Sequence, residues 1–416
     1  MLLGQKYQII PSDNQKKTIN QSIGGARFIY NNLLADYKSQ IGGETPPKVK
    51  LYSSLKPQNP WMKDCDSLAL SGARVNLEKA LTNFFKSKKG ARKGKKVGFP
   101  TFKSKHTSKL TYTTNNQGGN IRVENNMIKL PKVGWVKINL HRPLRGEIRS
   151  CHITLKRNGK YEISLLCEVA VQQHRKEIQD INSLKVVGLD LSYSEFAVDS
   201  EEVSDDTKTK YVRHYRINEK KTKRLSRRVS KKQLKGKNSC KAKRRLAAHH
   251  EYVKNCRLDF CHKLSKYYVT NYDVIVLEDL DLSQLAKNKL RGHSKSVLDL
   301  GFGQFRQFLD YKSIIYDSVV LQANRWFPSS QTCCVCLNKN KFVKDLSVRE
   351  WDCPFCGEHH NRDKNAAKNL KQLFYKELNT CGAQEIHAWG DGTSTLRETV
   401  RQVLSLNQES PPFMGV

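Results

Sequence analysis

Two sets of residues in this sequence have the types and spacing to do chemistry. Cys333 and Cys336 form one C-x2-C pair and Cys353 and Cys356 a second, with sixteen residues between the pairs. Two intervening residues let both thiolates of a pair face one ion, so the pairs together offer the four sulfurs of a structural zinc ribbon. Gly357 permits a tight turn after the second pair. Cys334, inside the first pair, could compete as a ligand but is the lesser reading, whereas Cys65, Cys151, Cys167, Cys240, Cys256, Cys261 and Cys381 are scattered and read as packing or bystander residues. The second set is acidic. Asp190 ends the apolar run 184–189, Glu278 ends the run 274–277, and Asp363 lies seven residues past Cys356, where Ala366, Ala367, Leu370 and Leu373 recur at helical spacing. Carboxylates from separate elements suit hard Mg2+ or Mn2+ ions, and two such ions roughly 3.5–4 Å apart can activate a water and stabilise a leaving oxygen. Each acid also has a plainer reading, as a solvent-facing strand end or, for Asp363, a helix cap. Asp279 rivals Glu278, because a one-residue slip of the strand would turn it inward instead; Asp199, Glu195 and Asp281 are further acids nearby.

The elements that must carry these residues can be read from periodicity. Continuous apolar runs of this length mark buried central strands, and 196–199 reads as a strand in a hairpin with the first. Two buried strands that each finish on an acid, followed by an acid at a helix start, make the arrangement of an RNase H-like nuclease. Between the strands lies a basic helical insertion, 210–270. Its later part carries Leu246, Val253, Leu258, Cys261, Leu264 and Val269 as an apolar stripe opposite Lys243, Arg244, Arg245, Lys254 and Arg257. Arg227, Arg228, Arg244 and Arg245 are its candidate phosphate contacts. His249, His250 and His262 have no ligand neighbours at metal spacing and read as packing or phosphate contacts.

The first half begins with a short strand ended by Pro11. A helix follows from Asp13, its expected cap, with Ile19, Ile23, Ala26, Tyr30, Leu33, Leu34 and Tyr37 on one face. A second helix is predicted over about 67–86, with Leu68, Leu70, Leu77, Leu81, Phe84 and Phe85 as its core. The run 86–109 is dense in like charge and has no apolar period, so it is expected to be extended and to need phosphates; Lys93, Lys95, Lys96, Lys103 and Lys105 are its candidate contacts. From 110 to about 171 the period becomes two, with Asn158 and Gly159 as a hairpin turn. The N-terminal strand is expected to join this sheet.

At 416 residues the chain can hold two to four domains, and its 38% hydrophobic content suffices for cores. The charge narrows the choice of partner: 74 Lys and Arg against 39 Asp and Glu leave a net +35, which calls for a polyanion, nucleic acid above all. No apolar run of eighteen residues, signal peptide or Lys-rich amphipathic helix is visible, so no membrane partner is expected. The expected location is the cytoplasm, nucleoid-associated in a prokaryote, whose reducing conditions fit the cysteines.

The motifs GARFIYNNLL, KKVGFPTFKSK, LPKVGWVK, GLDLSYSEFAVDS, VIVLEDL, FPSSQTCCVC and WDCPFCGEHHNRDKNAAKN resemble those of TnpB, the OrfB-type protein of IS200-family insertion sequences and relative of type V CRISPR effectors. The resemblance covers nearly the whole chain. It implies a multidomain α+β protein with a RuvC-like, RNase H-type α/β nuclease core and an inserted zinc ribbon. A β-barrel wedge domain (1–12 and 100–180) and a helical recognition lobe (13–99) would precede the nuclease region (181–380, with the ribbon at 325–360), and a disordered tail (381–416) would follow. The implied activity is RNA-guided cutting of double-stranded DNA by a monomer carrying one transposon-derived guide RNA. Catalytic Asp190, Glu278 and Asp363 would hold Mg2+ or Mn2+, and Cys333, Cys336, Cys353 and Cys356 would hold Zn2+. By position, Tyr52, Ser67, Ser71 and Arg74 would read a short duplex motif beside the target. A nuclease-independent RNA-guided repressor is the alternative; a tyrosine transposase is disfavoured because no HxH pattern is present. Where relatives often have Gly after the second cysteine this chain has Leu337 and Asn338, so a different turn is expected there.

Overall fold

In the computed structural model the described residues are 1–44, 46–92, 94–170, 183–192, 195–201, 213–233, 236–279, 299–345 and 347–380, with side chains described through 376. The predicted tail, Lys93 and Asp281 lie outside them. The chain divides into two units, Met1–Ala170 with Lys232–Ala248, and Val171–Lys231 with His249–Val416.

In the first unit, β1 (Leu2–Ile10) alternates so that Gln5, Tyr7 and Ile9 are buried. It pairs antiparallel on both sides, with β5 (Gly134–Asn139) and β7 (Tyr161–Glu168). The full order is β2 (Leu110–Asn115), β6 (Glu147–Leu155), β7, β1, β5, β4 (Met127–Leu130) and β3 (Arg122–Glu124). The β6–β7 turn uses Gly159 at φ 88, with Asn158 Oδ1 accepting from the Lys160 amide at 2.9 Å. The sheet is open, since β2 and β3 are its edges; the expected barrel is not closed among the described residues. A three-residue β3 offers too short a ladder for closure, which needs every strand paired on both sides.

Two helices cover this sheet. α1 (Asp13–Ser39) starts on a capping box, Ser12 with Gln15, so Ser12 and not Asp13 is the cap; Asp13 sits in the first turn, bound to Lys16 at 2.8 Å. Its buried face includes the predicted residues and adds Ile29, and fully burying a side chain of that kind is worth about 1.5–3 kcal/mol. α2 (Ser67–Lys88) is capped by Asp66 and buries Ala69, Leu70, Ala73, Leu77 and Leu81. The predicted core set is corrected here, for Phe85 is 42% exposed and Leu68 only half-buried. The reason is close approach: a Cβ on Gly25 of α1 would come within 3.0 Å of Leu70, so small residues face the contact and turn the larger ones aside.

In the second unit, β8 (Val186–Asp190) and β10 (Val274–Leu277) are parallel neighbours, β11 (Val319–Gln322) adds to β10, and the short β9 (Val198–Asp199) runs antiparallel to β8. Apolar layers cover both faces, which is why the strands read as continuous apolar runs. Val187, Leu189, Ile275 and Leu277 face Cys261, Leu264 and Tyr268 of α4 (Lys237–Asn271) and Phe302, Phe305 and Leu309 of α5 (Phe302–Tyr316). Val186, Val274 and Val276 face Leu370, Leu373 and Phe374 of α6 (Arg362–Thr380). α3 (His214–Ser230) carries the first basic part of the insertion, and α4 carries the second. β12 (Glu350–Asp352) and β13 (His359–Asn361) form a hairpin around Cys333, Val343, Trp351 and Cys353.

Candidate metal centres and nucleic-acid contacts

The two-residue period of the strands decides where the acids point. Asp190 is in phase with Val186 and Gly188, and Glu278 with Val274 and Val276, so both belong to the α6 face. Leu277 is paired with Leu189, so Glu278 and Asp190 follow side by side on neighbouring strands. Asp363 stands in the first turn of α6, which packs on that face. Asp279 is out of phase and falls on the α5 side, where Arg325 (3.1 Å), Arg306 (3.7 Å) and Gln322 hold it. The phase thus separates Glu278 from its rival. Asp199 accepts from the buried Tyr268 hydroxyl at 3.3 Å.

Electrostatics tie the three acids together. Burial pushes the Asp190 carboxyl well above the usual carboxylate range, the charges of Glu278 and Asp363 push it further, and Arg362 and Arg349 oppose them. Glu278 is also raised, first by burial, against a hydrogen bond from Ser329 Oγ to Oε1 at 3.2 Å. Asp363 accepts from Ser192 Oγ at 3.0 Å and from Arg349 at 3.2 Å. Such a group holds more negative charge than its two arginines offset comfortably, which suits a divalent cation. Ser192, Ser329 and Arg349 escape a reading of the sequence; the only signal is that Ser192 and Ser329 lie inside the motifs GLDLSYSEFAVDS and FPSSQTCCVC and Arg349 just before WDCPFCGEHHNRDKNAAKN.

The four thiols are gathered more tightly. Their sulfurs all lie within 4.8 Å of one another, the only such group of three or more among the described residues, and the three acids do not all fall within that span. The two knuckles are built alike. The Leu337 amide donates to Cys333 O at 3.0 Å and the Gly357 amide to Cys353 O at 2.8 Å, and Leu337 (φ 60) and Gly357 (φ 75) share the left-handed conformation. The expected different turn is therefore corrected: Leu337 adopts the glycine conformation, for about 1–2 kcal/mol of backbone strain. Amides of Val335 and Cys336 donate to Cys333 Sγ at 3.4 Å, and the Asn338 backbone holds the Cys336 thiol down at about 6. Thiolate-favouring amides around a four-sulfur cage fit a structural Zn2+. Cys334 is buried with its sulfur 4.0 Å from His360 Nδ1, and it does not join the four-sulfur group.

The candidate nucleic-acid contacts divide by environment. Arg227 and Arg228 are exposed on α3, where with Lys220, Lys223, Arg224 and Lys231 they line a basic hollow of about 540 Å³. Arg244, Arg245, Lys95, Lys96 and Lys105 are exposed. Lys103 is different: its Nζ lies 3.6 Å from the Tyr30 ring centroid, and Asn31 holds its backbone at both N and O. Burial lowers its pKa, the position of a packing cation. Ser67, Ser71 and Arg74 share a face of α2; Ser67 is exposed, and Arg74 is paired with Glu78 at 2.7 Å. Tyr52 begins the short turn Tyr52–Leu55 beside α2 and is half-buried under Lys56.

Comparison with known proteins gives three family matches: "Probable transposase" over residues 164–289, "Cas12f1-like, TNB domain" over 302–370, and "Helix-turn-helix domain" over 1–44. The last span here holds β1 and one 27-residue helix, α1. A Streptomyces pristinaespiralis protein named "Putative RNA-guided DNA endonuclease" is 28% identical, covering 98% of this chain and 95% of that one. The Escherichia coli K12 protein "Putative RNA-guided DNA endonuclease InsQ" is 29% identical, covering 91% and 93%. A solved Cas12f1–sgRNA–target DNA complex is 12% identical with a TM-score of 0.44, over 89% of this chain and 98% of that one, too distant a likeness to add to these. No described helix is long and apolar enough to cross a membrane.

Proposed function

The chain belongs to the TnpB (OrfB-type) transposon protein family, and on that footing we propose that it is an RNA-guided endonuclease that cuts double-stranded DNA at Asp190, Glu278 and Asp363 in a RuvC-like core. The observation that carries this reading is the convergence of the three acids: two strand ends in phase and one helix start, with the charges of Glu278 and Asp363 adding to burial in raising Asp190. Divalent cations bound there would lower the pKa of an attacking water and stabilise the leaving oxygen of a phosphodiester. The protein's part is to hold the carboxylates still. Ser329 fixes the rotamer of Glu278 and Ser192 that of Asp363, while Arg349, 59% exposed, offers a cation beside Asp363 where a scissile phosphate would come.

The four thiolates would hold a structural Zn2+ that pins the ribbon. A guide RNA would pair with one DNA strand, leaving the protein to bind phosphates through its exposed arginines and lysines and to read a short duplex motif through Tyr52, Ser67, Ser71 and Arg74. One chain with one RNA is the proposed unit. The test is plasmid cleavage in Mg2+ by the protein purified with its native RNA. Wild type should cut and Asp190→Ala should lose at least about 1,000-fold in rate, while retaining target binding. Equal cleavage by Asp190→Ala refutes the assigned centre, and specific binding without cleavage by wild type favours the repressor.

A further inference from the structure

α6 has two duties besides carrying Asp363, one apolar and one polar. Its apolar side, Leu370, Leu373 and Phe374, lies on the sheet. On another side Arg362, Asn365, Asn369 and Gln372 follow at helical spacing, and the first three are almost wholly buried, at 7%, 2% and 2% exposure. All four reach the ribbon. Asn365 accepts from the Cys334 amide at 2.9 Å and donates to Thr332 O at 2.7 Å. Asn369 donates to Ser329 O at 2.7 Å and Thr332 O at 2.6 Å, and Gln372 donates to Cys334 O at 2.7 Å. Arg362 binds the carbonyls of Asp345 and Val348, and its own amide donates to Arg349 O.

These partners are not a random stretch of backbone. Segment 329–334 begins with the serine that bonds Glu278 and contains Cys333, whose neighbours on both sides are held by α6. A shift of Cys333 therefore moves Thr332 and Cys334, which are bonded to the helix that carries Asp363 in its first turn, and through Ser329 the hydrogen bond on Glu278. Buried amides allow little slack, because a lost partner leaves a carbonyl or N–H unsatisfied away from water.

We propose that Asn365 and Asn369 are positioning residues that join the zinc knuckle to the carboxylate centre, so that zinc in the ribbon and a divalent cation at the acids strengthen each other's binding. The proposal rests on the assignment of the three acids as a cation site. Coupling of this kind is reciprocal: whatever factor one metal adds to the affinity of the other must be returned.

The experiment uses the full chain with zinc bound. Release of zinc to a chelator is followed with and without Mn2+, and Mn2+ binding is titrated from its free-ion electron paramagnetic resonance signal. In wild type, Mn2+ should lower the zinc lost at equilibrium by roughly 5–150-fold in apparent affinity. Asn365→Leu and Asn369→Leu, with zinc content confirmed at one per chain, should weaken Mn2+ binding and lose the mutual effect. Asp190→Asn should abolish Mn2+ binding at the acids outright. Mn2+ without effect on wild-type zinc release overturns the proposal, and this measurement needs no variant to fold. So does unchanged Mn2+ affinity in a zinc-loaded Asn369→Leu. If Asp190→Asn instead binds Mn2+ as wild type does, the carboxylate centre itself is misassigned.

Discussion

Asp190 is ionised only at a cost: it is pressed between burial and two other acids, so its carboxyl holds its proton well above the usual carboxylate range. For a carboxyl whose folded pKa is raised, the associated stability is complete below the unfolded pKa, near 4, and is lost as pH rises through the folded value. Glu278 is raised in the same direction. With zinc present and no Mg2+, the melting temperature should therefore fall as pH rises from about 4 toward neutrality. Asp190→Asn should flatten that slope and melt higher at pH 7.5 by on the order of 2–4 °C, what 1 kcal/mol is worth in a domain of this size, while cleavage is lost. A variant that melts lower than wild type at pH 7.5 would mean that the Asp190 charge is already compensated. At this scale the four cysteines and three acids were legible because type and spacing announce them. Ser192, Ser329 and Arg349 were not, since each acts through one hydrogen bond to a residue far away in sequence or across a turn, and a lone serine or arginine carries no period.

α6 converts those side chains into a site because of one glycine. A Cβ on Gly188 would meet Ala367 O at 2.1 Å and the Lys371 amide at 2.6 Å, so α6 lies directly on the backbone of β8. The same approach brings the start of α6 to the end of β8. Gly188→Ala should force helix and strand apart, destabilise the protein by about 1–3 kcal/mol as overpacking does, and weaken Mg2+-dependent cleavage at every Mg2+ concentration. Thermal melting and a Mg2+ titration of cleavage check both, and wild-type stability in the Gly188→Ala variant would show that the helix can yield. The stretches 186–189 and 274–277 were readable as strands because burial on both faces leaves nothing polar in them, Lys185 falling just before β8. β11 and α5 went unread, although Phe302, Phe305 and Leu309 recur at helical spacing; only the three-dimensional sheet shows that a strand at Val319–Gln322 is needed to cover β10.

Across the whole chain, a net charge of +35 calls for a polyanionic partner but does not say where it would bind. The structure sorts its cations by what already holds them. Lys220, Lys223, Arg224, Arg227 and Arg228 of α3 and Lys231 at its C-cap recur at three- and four-residue steps around one hollow, so a phosphate backbone following the helix would be met several times. Lys103, from the basic run that looked equally suitable, is spent on Tyr30. Charge density alone could not separate the two, because a buried ammonium and an exposed guanidinium count the same in a sequence. Neutralising Arg227 and Arg228 together to Gln should weaken RNA binding and reduce the slope of log K against log salt by about 0.7–0.9 for each phosphate no longer neutralised. Lys103→Gln should leave that slope unchanged and instead lower stability by roughly 0.5–1 kcal/mol, because no cation then sits over the Tyr30 ring. Binding titrations at several salt concentrations distinguish them. A slope that falls for Lys103→Gln and not for the arginine pair would move the phosphate path from α3 to the extended basic segment.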